Sequence, residues 1–255
     1  MCTHLDCENT NNKKRPLDQV DQDPFSDLDI ANDQVLKDVN ERSACSECKK
    51  SVKYFCYKCH KVVGMERSEI PTIELPVKLD VFKHKKEIDG KSTAIHARIL
   101  APEHTTIYTW PDNIPDYENP ERTLLLFPGP DAKTLKDIPR DSFDRIVVID
   151  GTWIQANKIA RDTPILRKMQ RVTIQPQKTH FWRFQQVDDQ HLATIEAIYY
   201  FYKEYEQTYQ KEKSGSYDNL MFYYKFFYHL VQSNYTSKKA IKFTERHKQK
   251  DYIKY

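Results

Sequence analysis

Two segments, RTLLLF at Arg122–Phe127 and RIVVID at Arg145–Asp150, each carry four apolar residues in a row. A strand with one face in water alternates apolar and polar residues. A strand that does not alternate must be covered on both faces, as happens in a parallel sheet flanked by helices. The remaining pattern supplies partners for them. LPVKLDVF at Leu75–Phe82 alternates and reads as a strand, as do TIYTW around Ile107 and RVTIQ at Arg171–Gln175. Ser92–Leu100 reads as a short helix opened by a capping serine and closed by Pro102. Two longer helices end the pattern. One runs from about Asp189 to Tyr209, with Leu192, Ile195, Tyr199 and Tyr202 on one face; the other runs from about Asp218 to Asn234 and is apolar nearly all round. The fold class is therefore α/β, a mostly parallel sheet with flanking helices.

With 255 residues, 39% of them hydrophobic, the chain can build one large domain plus a small module. No apolar run approaches the roughly 20 residues of a membrane span, and Met1–Thr10 lacks an apolar signal region. The expectation is a soluble intracellular protein. Residues 1–41 hold ten acids against four bases and are rich in Asn and Gln, so they are expected to be a disordered acidic tail. Residues 236–255 hold seven bases against two acids and form a basic tail. The run KKRP at Lys13–Pro16 gives an expectation of nuclear residence, with the cytoplasm as the alternative. Only five glycines occur, and no two are spaced for a G-x-G-x-x-G turn or a P-loop. Dinucleotide folds and phosphate-cradling loops are thereby excluded.

Four of six cysteines fall in two C-x-x-C units, Cys45–Cys48 and Cys56–Cys59. Such units converge on one tetrahedral ion, and four thiolates make a closed, structural zinc site. Residues 42–66 are accordingly read as a zinc ribbon, and residues 67–235 as the main domain. The ribbon is basic, with Lys53 and Lys58 as candidate RNA contacts and Tyr54, Phe55 and Tyr57 interleaved. Aromatic faces between positive charges suit RNA. The alternative is that these rings form the ribbon's own core, which is favoured for Phe55 and left open for Tyr54 and Tyr57.

In open α/β sheets ligands collect beyond the carboxyl ends of the strands. Two such ends carry unusual residues: Leu126, Phe127, Pro128 and Gly129, and then Asp150, Gly151, Thr152 and Trp153. Taken singly these have plainer readings. Asp150 reads first as the N-cap of the following helix, Trp153 as core, Glu196 as a solvated helix residue, and His84 and His96 as structural or exposed.

Their combination resembles the DTW-domain family. The diagnostic D-x-T-W is Asp150-Gly151-Thr152-Trp153. HKKE at His84–Glu87, Lys91-Ser92-Thr93-Ala94, LFPGP at Leu126–Pro130, WRFQQ and LATIEA at Leu192–Ala197 extend the likeness over residues 42–235. Where many members have proline after the histidine, this chain has Lys85. The resemblance implies transfer of the 3-amino-3-carboxypropyl group of S-adenosylmethionine to N3 of a tRNA uridine, releasing methylthioadenosine. It also implies a SPOUT-like fold with a C-terminal trefoil knot, in a class whose members often form homodimers. On that reading Leu126–Gly129, Asp150–Trp153 and Glu196 hold the donor; Asp150, Thr152 and Trp153 are catalytic, with Asp150 as base or as anchor of the donor's ammonium. Lys91 and Arg183 join Lys53 and Lys58 as RNA contacts. Two alternatives remain: an RNA methyltransferase of the same class, and a noncatalytic zinc-ribbon adaptor.

Overall fold

The computed structural model describes residues 23–182, 191–210 and 214–236. A short helix α1 (Gln34–Asp38) precedes two small antiparallel hairpins, β1 (Ser43–Ala44) with β2 (Ser51–Val52) and β3 (Phe55–Cys56) with β4 (Lys61–Val62). The main domain follows as β5 (Lys78–His84), α2 (Ala94–Leu100), β6 (Thr105–Trp110), β7 (Thr123–Leu126), β8 (Arg145–Asp150), α3 (Trp153–Asp162), β9 (Gln170–Val172), α4 (Thr194–Tyr209) and α5 (Phe222–Thr236). Five strands make one sheet in the order β6-β5-β8-β7-β9, every pair parallel.

The uninterrupted apolar runs have the expected cause. In β8, Ile146 and Val148 enter the core beneath α2, α4 and α5, while Val147 enters a second core beneath α3. Leu124 and Leu125 of β7 divide in the same way. β5 also lies between neighbours and is buried on both faces despite its alternating sequence. Its outlier is Asp80, 1% exposed, which accepts from Tyr117 Oη (2.7 Å) and Arg145 Nη1 (2.9 Å). Burial still pushes the Asp80 carboxyl above its ordinary range.

The larger core is built from aromatic rings of the last two helices, with Tyr199, Tyr202, Tyr205, Phe222, Tyr223 and Tyr224 all fully buried. Buried phenols need partners: Tyr199 donates to Asp218 at 2.9 Å and Tyr202 to the Val77 carbonyl at 3.1 Å. His96 is a core residue. It stacks on Phe227 at 5.7 Å, and desolvation lowers its pKa to about 3, so it stays neutral.

Three expectations are corrected. Residues 23–41 are not a loose tail. Phe25 and Leu36 are buried, Phe25 meets Tyr228 edge-on at 5.3 Å, and the backbone of Asp29 and Ala31 donates to Asp218 and Asn219. An acidic average concealed these anchors. Residues 1–22 and 237–255 lie outside the described residues. Phe55, secondly, is not in a core of the ribbon's own: it joins the main core against His96 and Tyr223, and Tyr54 packs on Phe226 and Phe227 at 5.2 and 5.4 Å. Tyr57, half-buried, packs on Phe55 at 5.1 Å. Finally, α4 begins at Thr194 rather than near Asp189.

Phe25→Ala tests the first correction. Emptying a buried phenylalanine site costs about 3–5 kcal/mol, and urea unfolding is expected to register a loss of that size. A loss below about 0.5 kcal/mol, ordinary for a surface position, would return the segment to a loose tail.

Candidate active site

Because the sheet is parallel, the carboxyl ends of its strands share one edge, and Asp150 ends the central strand β8 beside Lys83 of β5. Its carboxylate is 2% exposed and is held by two hydroxyls: Ser92 Oγ donates to Oδ2 at 2.6 Å, and Thr194 Oγ1 donates to Oδ1 at 2.5 Å. Burial pushes the carboxyl pKa up; the two hydroxyls and the Lys83 charge oppose that shift. Thr93 Oγ1 accepts from the Ile195 backbone at 3.0 Å, which ties the same two segments a second time. The β5–α2 connection, the end of β8 and the start of α4 therefore meet at one acid.

Asp150 is not the cap of α3. Thr152 occupies that position, its hydroxyl accepting from Gln155 N at 3.4 Å while Gln155 Oε1 accepts from Thr152 N at 2.8 Å. Gly151 sits in a tight spot: a Cβ there would stand 3.1 Å from Gln155 Cβ and 3.3 Å from His84 Cβ, and would displace Gln155 Oε1 at 2.8 Å. Ser92 is no cap either. Thr93 holds the N-cap position of α2, leaving the serine hydroxyl to Asp150.

Thr152 and Trp153 face solvent, the indole being 36% exposed. Its ring lies 6.1 Å from Phe127 and 4.8 Å from His191, perpendicular to the latter. The fold thus brings together the two strand ends that the sequence singled out. Leu126 is half-buried and Phe127 is 9% exposed; Pro128 and Gly129 are exposed, with Arg171 lying across Gly129, where an added Cβ would be 2.5 Å from Nη1.

Glu196 is fully buried. Its oxygens accept from Thr179 Oγ1 (2.6 Å), His180 N (2.7 Å) and Ala193 N (2.7 Å). This joins the chain leaving β9 to the start of α4, and burial raises the Glu196 pKa. His84, at the end of β5, stacks on Trp110 at 5.3 Å and accepts from Lys86 N at 3.1 Å; burial and the charges of Lys86, Lys158 and Lys85 lower its pKa. Lys91 is exposed on the connection that carries Ser92. Arg183 lies outside the described residues.

A separate cleft of about 460 Å³ opens beyond β6, lined by Trp110, Pro111, Ile114, Pro115, Thr163 and Ile165 among others. Neither the D-x-T-W side chains nor Leu126–Gly129 line it.

In the ribbon, the Sγ atoms of Cys45, Cys48, Cys56 and Cys59 all lie within 4.8 Å of one another. Zinc–sulfur bonds of about 2.3 Å give a tetrahedron with edges of about 3.8 Å, so the four thiols fit that ion. Each C-x-x-C is followed at once by a residue with left-handed backbone, Lys49 (φ 61°) and His60 (φ 54°). Lys58 is exposed, and Lys53 lies over the Tyr54 ring at 5.3 Å.

Ser92 and Thr194 are the site residues that the sequence reading did not assign. Each stood in a segment of the family likeness, Ser92 read as a helix cap and Thr194 without a role.

The DTW domain family model matches residues 53–232. Among curated proteins, the chain is 37% identical to mouse tRNA-uridine aminocarboxypropyltransferase 1 over 260 residues, covering 83% of this chain and 85% of the relative. It is 38% identical to the human protein of that name, with the same coverage, and 34% identical to that of Xenopus tropicalis, covering 81% and 86%. No solved structure matches. The buried acid at the centre of the sheet edge, the exposed indole beside it and the likeness across residues 53–232 agree: the chain belongs to the DTW domain family.

Proposed function

We propose that the chain transfers the 3-amino-3-carboxypropyl group of S-adenosylmethionine to N3 of a uridine in tRNA, releasing methylthioadenosine. The observation that carries the reading is the meeting of Asp150, Trp153 and Phe127 at one sheet edge, in a chain similar over most of its length to enzymes named for this reaction.

The donor's sulfonium offers three electrophilic carbons, and pose selects among them. Trp153, flanked by Phe127 and His191, offers a flat, electron-rich face to adenine or to the sulfonium. Leu126–Gly129 and Gly151–Thr152 present backbone to the adenosine; this donor has no phosphate for a glycine-rich loop to hold. Uridine N3–H is a weak acid, and Asp150 supplies the base: a desolvated carboxylate accepts a proton more readily than an exposed one. Glu196 acts at one remove, fixing Thr179–His180 and the α4 terminus around the site. The knotted SPOUT-like path belongs to the same proposal. It is supported by an all-parallel sheet whose central strand end is closed by the start of a C-terminal helix.

The ribbon holds zinc as a structural ion, keeping four thiolates together. Lys91, Lys58, Lys53 and Arg183 are proposed to attract tRNA phosphate, and pairing of two chains and nuclear residence are proposed on the class likeness and on Lys13–Pro16. Mass spectrometry of tRNA nucleosides tests the function: cells lacking the protein are expected to lose the aminocarboxypropyl uridine. Loss of a methylated nucleoside instead would favour the methyltransferase. No change, with tRNA bound but no donor affinity, would favour the adaptor.

A further inference from the structure

At 2% exposure, Asp150 cannot be touched by a nucleobase without parting the groups that cover it. Its two hydroxyl partners differ in access. Ser92 is buried, and its backbone N–H is tied to the carbonyls of Ile88 (3.2 Å) and Asp89 (3.1 Å). Thr194 is half-buried, is the first residue of α4, and carries the shorter contact, 2.5 Å to Oδ1. A threonine hydroxyl donates one proton and accepts through two lone pairs. With its proton committed to Asp150, the acceptor side of Thr194 Oγ1 remains to meet an N–H from outside. Position supports this use. Thr194 is the first residue of α4, the element that closes over Asp150, and Ser92 keeps the second carboxylate oxygen in register.

We propose that Thr194 is a catalytic residue, the proton relay through which the buried Asp150 deprotonates the incoming N–H. The proposal rests on the transferase reading above. As N3 bonds to the donor's γ-carbon, the γ-carbon–sulfur bond breaks and its electron pair goes to sulfur, turning the sulfonium into the neutral thioether of methylthioadenosine. The N3 proton passes to Thr194 Oγ1, and the Thr194 proton passes to Asp150 Oδ1. One positive charge and one carboxylate charge are lost together, so the step balances without another reactant. Ser92 remains a donor throughout and is a positioning residue.

The test uses the full chain with zinc, S-adenosylmethionine and tRNA, following methylthioadenosine. Thr194→Val keeps the shape and removes the hydroxyl, and is expected to lower kcat about 100-fold or more while donor affinity by calorimetry stays within about twofold. Thr194→Ser is expected to return kcat to within about tenfold of the parent. Since relay and base act as a unit, the double variant with Asp150→Asn should be no slower than Asp150→Asn alone. Thr194→Ala, which adds no bulk, is a second probe should valine disturb folding. Three results would overturn the relay: turnover of Thr194→Val and Thr194→Ala within about threefold of the parent, a serine variant as slow as valine, or losses that multiply in the double variant. A parent protein that binds donor and tRNA yet yields no methylthioadenosine sinks the underlying reading instead, before any variant is compared.

Discussion

Asp150→Asn is expected to slow transfer by about 10²–10⁴-fold, the usual worth of a general base, while leaving the thermal midpoint unchanged or higher. The two halves have one cause. Burial raises the folded pKa of Asp150 above its unfolded value, so between those values the native chain binds more protons than the unfolded one. The acid therefore subtracts nothing from stability below its unfolded pKa. It subtracts progressively as pH climbs through the window, and fully above the folded pKa. Asparagine carries no such penalty and can still meet both hydroxyls, because Ser92 and Thr194 can each turn to donate or accept. The midpoint difference between variant and parent should widen in the variant's favour as pH rises through the acid range toward neutrality. Turnover of the variant within tenfold of the parent would remove Asp150 from the chemistry. A midpoint many degrees lower would make it a structural pin.

Removing the zinc proposed for the four-cysteine cluster, by chelation or by Cys56→Ser, is expected to lower stability steeply. In zinc-finger peptides a structural zinc is worth about 10–16 kcal/mol. Here Cys45 and Cys56 are buried with Val63, and the hairpin that carries Cys56 also delivers Phe55 to the main core. Losing that ring's packing alone would cost about 3–5 kcal/mol, roughly a 10 °C fall for a domain of this size. Metal analysis should return one zinc per chain, and calorimetry of the stripped protein should show the lower midpoint. A stripped protein that melts as the loaded one does would mean that the four thiols stand together without an ion.

The parts of the fold that were legible in the sequence are those set by local patterning. Four apolar residues in a row at Leu124–Phe127 and Ile146–Ile149 required cover on both faces, and both runs fall on the parallel sheet, the first ending one residue past β7. The two C-x-x-C units fixed the cysteine cluster because the spacing is itself the ligand geometry. Asp150 and Trp153 stood out because a strand buried on both faces should not end in an acid and an indole.

What escaped depends on distance along the chain. Ser92 looked like a helix cap because its neighbours suggested one, yet its partner lies 58 residues away; Thr194 meets Asp150 across 44. No local pattern records such pairings. The start of the chain misled in the opposite sense. Its acid content outweighed Phe25 and Leu36, which bind it to α5 and the core, and two or three buried side chains can hold a segment whose average composition is polar. Tyr54 and Tyr57, which the sequence left open between stacking on RNA and packing, lie half-buried against Phe227, Phe226 and Phe55.

The central claim is that this edge of the sheet aims the donor's long arm, rather than its methyl group, at a pyrimidine nitrogen. Two batches of S-adenosylmethionine test it, one isotopically labelled in the aminocarboxypropyl arm and the other in the methyl group, each incubated with the purified protein and unmodified tRNA. The account predicts that arm label enters the tRNA while methyl label leaves with methylthioadenosine. Methyl label in the tRNA, with the arm label retained in S-adenosylhomocysteine, would contradict it.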